Sequence, residues 1–140
     1  MYENYTRQAL PQRRYRELLG SAICVFNSNN AFVIENILRN DINNDFTWHE
    51  LIDRVSGQLK APILETITKA SNNDIALLFN EIVEKRNRIV HSFQVTYDGE
   101  QVLCTKDKCH KQHIISEDFL MDFISQNENL SSLLHEFRGY

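Results

Sequence analysis

Long hydrophobic runs are missing from this chain of 140 residues. No stretch approaches the roughly 18 consecutive apolar residues that a membrane helix needs, so no membrane partner is expected. The first residues, with Glu3, Asn4 and Arg7, lack the apolar core of a signal peptide, and a cytoplasmic location is the expectation. Cysteine is scarce: Cys24, Cys104 and Cys109 are an odd set that does not suit a disulfide framework. The four glycines form no glycine-rich phosphate loop, and neither an Asp/Glu metal cluster nor a Ser-His-Asp set is visible. Internal repeats and low-complexity linkers are absent. A formal charge of -4 argues against a uniformly basic nucleic-acid binder, although a net value hides where charges sit. Between Lys85 and Lys111 six cations face three carboxylates, a local balance of +3 that leaves -7 on the rest. Arg7, Arg13, Arg14 and Arg16 form a second basic cluster, but Arg13, Arg14 and Arg16 span almost a full helical turn and cannot share one face.

What is present describes one domain, residues 1–140. A mass of 16.5 kDa with 42% hydrophobic and 24% charged residues is ordinary for a globular chain with one core. From Pro11 onward Tyr15, Leu18, Leu19, Ala22, Val25 and Phe26 recur at three and four spacing, which predicts an amphipathic helix. Asn27-Ser28-Asn29-Asn30 reads as a loop or a local irregularity before Phe32, Val33, Ile37 and Leu38 resume the period. Thr47 and Glu50 have the spacing of a capping box, and Gly57 marks the expected end of the helix they open. Pro62 opens a short helix. Ile75, Leu78, Phe79, Ile82, Val83, Ile89 and Val90 then predict an uninterrupted helix from about Asn73 to about His91. Phe93, Val95 and Tyr97 alternate with polar residues, Asp98-Gly99 is a turn dipeptide, and Gln101 to Thr105 is extended, so a hairpin follows. His113-Ile114-Ile115 can add a third short strand. Ser116 caps a last helix in which Asn127 and Asn129 are expected to interrupt the pattern. The expected class is all-α: a bundle of about four to five helices with a small β-hairpin, residues 93–115, inserted before the last.

Only at Lys85-Arg86-Asn87-Arg88-Ile89-Val90-His91 do a permanent cation, a group titrating near neutrality and an amide lie within six residues. Such a set suits metal-free RNA cleavage. A base removes the 2′-hydroxyl proton, the oxygen attacks the adjacent phosphorus, and a cation stabilises the charge that develops there. Histidine suits the proton transfer and the forked guanidinium suits the phosphate oxygens. Asn87 can donate to either. On a regular helix, however, Arg86 and His91 are about 140° apart, so they meet only if the last turn loosens or the arginine reaches around. The same run also reads as a solvated helix end, where cations favour the macrodipole.

Arg86-Asn87-Arg88-Ile89-Val90-His91 resembles the Arg-x4-6-His signature of the HEPN superfamily, here with four intervening residues and the frequent Asn after the Arg. Its place near the end of a long helix in a small helical chain, with another helix to follow, is also similar. At the level of architecture the resemblance extends from about Pro11 to Phe137, with the hairpin as an addition. It implies a dimerising helical bundle, and for many members a metal-independent endoribonuclease of toxin–antitoxin, abortive-infection or CRISPR systems, without a cofactor. Arg86 and His91 of two subunits are then expected to line a shared cleft, assisted by Asn87, with RNA as substrate and an antitoxin protein as a possible partner. The alternative that the resemblance leaves open is a non-catalytic module binding RNA, a nucleotide or a protein. One departure concerns regulation: in the subgroup paired with a nucleotidyltransferase antitoxin a tyrosine two residues after the histidine is modified, and here that place holds Phe93.

Lys85 and Arg88 beside the motif, and Lys106, Lys108 and Lys111 as a basic finger on the hairpin, are the expected RNA-phosphate contacts. Cys104, Cys109, His110 and His113 lie within ten residues and carry zinc-ligand chemistry. Their Cys-x4-Cys-His-x2-His spacing fits no common knuckle, however, and no metal is expected. Trp48 and His49 read as the edge of the core, Glu81 and Glu84 as exposed orienters of Arg86 or Arg88, and His135 as packing.

Overall fold

A computed structural model describes residues 1–139. The described chain is mostly helical, with five α-helices and a small antiparallel sheet before the last of them, so all-α is too narrow a class. The longest helix, α1 (Arg13–Arg39), is followed by α2 (Trp48–Asp53), a 3-10 turn over Ser56–Leu59, and α3 (Lys60–Ile63), which runs on into a π turn at Leu64–Thr68. Helix α4 (Asp74–Val90) leads into strands β1 (Phe93–Tyr97), β2 (Glu100–Lys106) and β3 (Gln112–Ile114), and α5 (Glu117–Arg138) closes the order.

Helices α1 and α5 run side by side in the same direction, since Arg14 faces Glu117, Asn29 reaches Asn127 and Glu35 pairs with Arg138. Helix α4 runs back against α5 in the opposite direction. Its Lys85 bonds Gln126 in the first half of α5, while Ile75 shares a cavity with Leu133 and Phe137 near the end of α5. Where the three helices meet, the ring of Phe26 lies 6.4 Å from Phe79 and 6.3 Å from Phe123, all three buried. Such aromatic contacts add to the burial term that holds the bundle together.

Two asparagine-rich stretches depart from expectation. Neither interrupts its helix, because Asn29 Nδ2 donates to Asn127 O at 2.7 Å and to Asn127 Oδ1 at 3.0 Å. Asparagine's preference for loops comes from its side chain competing with the backbone, and a buried partner removes that competition. The Thr47 cap forms as read, its hydroxyl accepting from Glu50 N at 3.2 Å, but Glu50 turns its carboxylate to Arg54 at 2.6 Å and α2 ends at Asp53, before Gly57. Ser116 caps α5 by accepting from Phe119 N at 3.0 Å.

The hairpin has become a three-stranded sheet in the order β1-β2-β3. Asp98 and Gly99 form its two-residue turn with φ of 53° and 79°, the left-handed pair that a tight hairpin requires and glycine adopts at least cost. Tyr15 fastens this sheet to the helices. Its buried hydroxyl donates to Ile115 O at 2.7 Å and accepts from Leu103 N at 3.1 Å. Burial raises the Tyr15 ionisation above its ordinary value, against a smaller opposite effect of the Leu103 N–H.

Candidate functional site

Helix α4 stays regular to its last residue. His91 forms its C-cap, and the His91 N–H donates to Asn87 O at 3.0 Å, the spacing of an unbroken α-turn. The loosened turn that would bring Arg86 and His91 together within one chain is therefore not formed. The helical screw leaves them about 140° apart. Arg86 lies on the side of α4 that faces the core, half-buried, its guanidinium 5.2 Å from the centre of the Phe26 ring. Its Nη1 donates to Asn87 Oδ1 at 3.0 Å. His91 is exposed on the opposite side.

The neighbouring cations do structural work. Lys85 Nζ donates to Gln126 Oε1 on α5 at 2.7 Å, and Arg88 Nη1 donates to Lys106 O on β2 at 3.2 Å. The second contact sets the last turn of α4 against the distal end of β2. Arg88 and the basic finger, distant in sequence, thus share one end of the molecule. Lys106, Lys108 and Lys111 are exposed there. The turn that carries Lys108 is organised by Asp107, whose Oδ1 accepts from Cys109 N and Lys111 N, each at 2.9 Å, and whose Oδ2 lies 3.2 Å from His113 Nε2. The His113 contact first, then the backbone donors, hold the Asp107 carboxyl below its usual range.

Cys104 is buried with its Sγ 3.7 Å from Thr105 O, while Cys109, His110 and His113 are exposed. Among the described residues no group of three or more His, Cys, Asp or Glu is placed to hold a metal ion. No helix of the described residues is long and apolar enough to cross a membrane. Glu81 and Glu84 are exposed and form no ion pair with Arg86 or Arg88. Trp48 and His49 are both exposed rather than anchoring the core. His135 is exposed, its ring tilted by 53° against Phe32 at 4.7 Å and its Nδ1 2.8 Å from Ser131 O.

Two partners escaped the sequence reading. Phe26, under Arg86, is one apolar residue among many in the α1 stripe, and no local pattern distinguishes it. The Lys106 carbonyl that Arg88 finds belongs to the backbone, which sequence does not label. Searches against protein-family models, curated proteins and solved structures return no match.

Proposed function

We propose that this protein is a metal-independent endoribonuclease of the HEPN kind, acting in phage defence, in a toxin–antitoxin pair or in a stress response. The observation that carries the reading is the exposed His91 capping α4 beside Arg88, Lys106 and the basic finger. An imidazole free to reach a 2′-hydroxyl stands next to cations able to hold the RNA backbone. His91 takes the 2′-hydroxyl proton, the oxygen bonds to phosphorus, and the bond to the 5′-oxygen breaks as that oxygen takes a proton from solvent. The products carry a 2′,3′-cyclic phosphate and a 5′-hydroxyl. Because Arg86 faces away from His91, the guanidinium that stabilises the phosphorane comes from the partner in a homodimer, with Asn87 fixing its orientation.

The test uses labelled RNA at low salt with EDTA present. Cleavage by the wild-type protein, lost in His91→Ala with unchanged circular dichroism, supports the assignment. Cleavage that survives the substitution in a nuclease-free preparation overturns it. Mixing His91→Ala with Arg86→Ala under subunit exchange should restore part of the activity, since one of the two composite sites is then intact.

One observation favours a second reading. Arg86 is already engaged by Phe26 and Asn87, as a structural arginine would be. In that case the protein is a module that binds RNA, a nucleotide or a protein partner without cutting, and RNA is retained at low salt but not shortened.

A further inference from the structure

Strand β1 is an edge of the sheet, and natural edges are usually blunted by charge, proline or a covering segment. Phe93-Gln94-Val95-Thr96-Tyr97 carries no charge and no proline. Phe93 is 41% exposed and Tyr97 58% exposed.

The register tells which backbone groups the edge offers. Leu103 N takes the Tyr15 hydroxyl and Leu103 O accepts from Ile115 N at 2.9 Å, so the polar groups of Leu103 point away from β1. Leu103 lies opposite Gln94, which makes this a non-hydrogen-bonded pair, and Val95 opposite Val102 a hydrogen-bonded one. By alternation the N–H and C=O of Gln94 and Thr96 point outward. Among the described residues neither bonds to another element through its backbone.

The strand is also a chemical palindrome about Val95: aromatic, polar, valine, polar, aromatic. We propose that β1 pairs antiparallel with β1 of a second copy of this chain about a two-fold axis at Val95, joining two three-stranded sheets into one of six strands. Gln94 of each copy then exchanges both backbone hydrogen bonds with Thr96 of the other. Val95 meets Val95, and Phe93 meets Tyr97 twice on the same face, the kind of cross-strand aromatic pair that stabilises antiparallel sheets. Asp98 of one copy comes opposite Ser92 of the other, one residue from the exposed His91. The pairing is isologous and closes on itself. It goes beyond the ribonuclease reading and does not rest on it. In this register the two His91 lie roughly 27 Å apart along the strands, so this contact is distinct from one that would form a shared cleft.

Two measurements decide. The first is mass by light scattering, where Tyr97→Lys should lower the assembly by one doubling while leaving the circular dichroism unchanged, since Tyr97 is exposed. The second is Val95→Cys in a background carrying Cys24→Ser and Cys109→Ser, because those two native thiols are exposed. At a non-hydrogen-bonded pair the two α-carbons sit about 4.5 Å apart, within disulfide reach, so mild oxidation should give a covalent dimer from Val95→Cys but not from Gln94→Cys. A monomeric wild type, or an assembly indifferent to Tyr97→Lys and not cross-linked through Val95→Cys, overturns the proposal. A monomeric wild type would also remove the partner arginine of the ribonuclease reading, whereas indifference to Tyr97→Lys and no Val95→Cys cross-link, beside intact His91-dependent cleavage, overturns this contact alone.

Discussion

Arg86 is held both by a ring and by an amide, and the two contacts give its replacement two consequences. A guanidinium over a partly desolvated phenylalanine contributes about 1 kcal/mol, and its methylene stem packs besides. Arg86→Ala should therefore lower urea stability by about that much, and its activity must be compared at temperatures where both proteins are folded. Arg86→Lys separates the roles: it restores charge but not the planar fork, so cleavage that depends on bidentate phosphate contact stays low while stability largely returns. Equal recovery of both would count against a catalytic arginine.

Tyr15 is the other residue on which much converges. Tyr15→Phe removes one hydroxyl and leaves Ile115 O and Leu103 N without it, for an expected loss of about 1–3 kcal/mol. The sign with pH follows from the raised ionisation. The folded state favours the neutral phenol, so this contribution is complete below the ordinary tyrosine value of 10.0 and is lost as pH rises from there through the folded value. The stability gap between wild type and Tyr15→Phe, measured by urea titration at several pH values, should stay constant below about pH 9 and narrow above 10. A gap that widens in alkali would contradict the burial of the phenol.

Among the elements, helix α4 and the Asp98-Gly99 hairpin were legible because local rules and tertiary structure agree there. Apolar period, the absence of breakers, and a dipeptide suited to left-handed φ all point to the observed elements. The Ser116 cap was readable for the same reason. The continuity of α1 and α5 was not, since Asn29 and Asn127 look like breakers until they are seen to bond each other. At the candidate site, the angular separation of His91 from Arg86 could be read, but the exposure of His91 could not. The seat of Arg86 over Phe26 depends on how two distant helices cross. A prediction follows for the α1–α5 contact. Asn29→Leu alone leaves the buried Asn127 Oδ1 without its donor and should cost about 1–3 kcal/mol, whereas the double replacement Asn29→Leu with Asn127→Leu removes that acceptor as well and should recover much of the loss. Additive losses in the denaturation midpoints would mean that the pair is not coupled.

Across the whole molecule the charges are segregated by the fold rather than by sequence alone. Arg88, bound to the Lys106 carbonyl, joins the exposed Lys106, Lys108 and Lys111 at one end, while a net -7 lies outside residues 85–111. If RNA is the substrate, as proposed, its strand is attracted to one end and repelled by much of the remaining surface, which would orient it toward His91 without base recognition. If those four cations each neutralise one phosphate of a single strand, the logarithm of the binding constant should fall with the logarithm of salt at a slope of about -3. Replacing Lys106, Lys108 and Lys111 together by Gln should flatten it to about -1 and weaken binding alike for all sequences. The three lysines are exposed and tied to the fold only through their backbone, so the variant should fold normally. Filter binding of a catalytically silent His91→Ala background to a short unstructured RNA gives both slopes directly. An unchanged slope in the triple variant would move the RNA path off the finger and leave the arginine cluster near the N-terminus as the next surface to test.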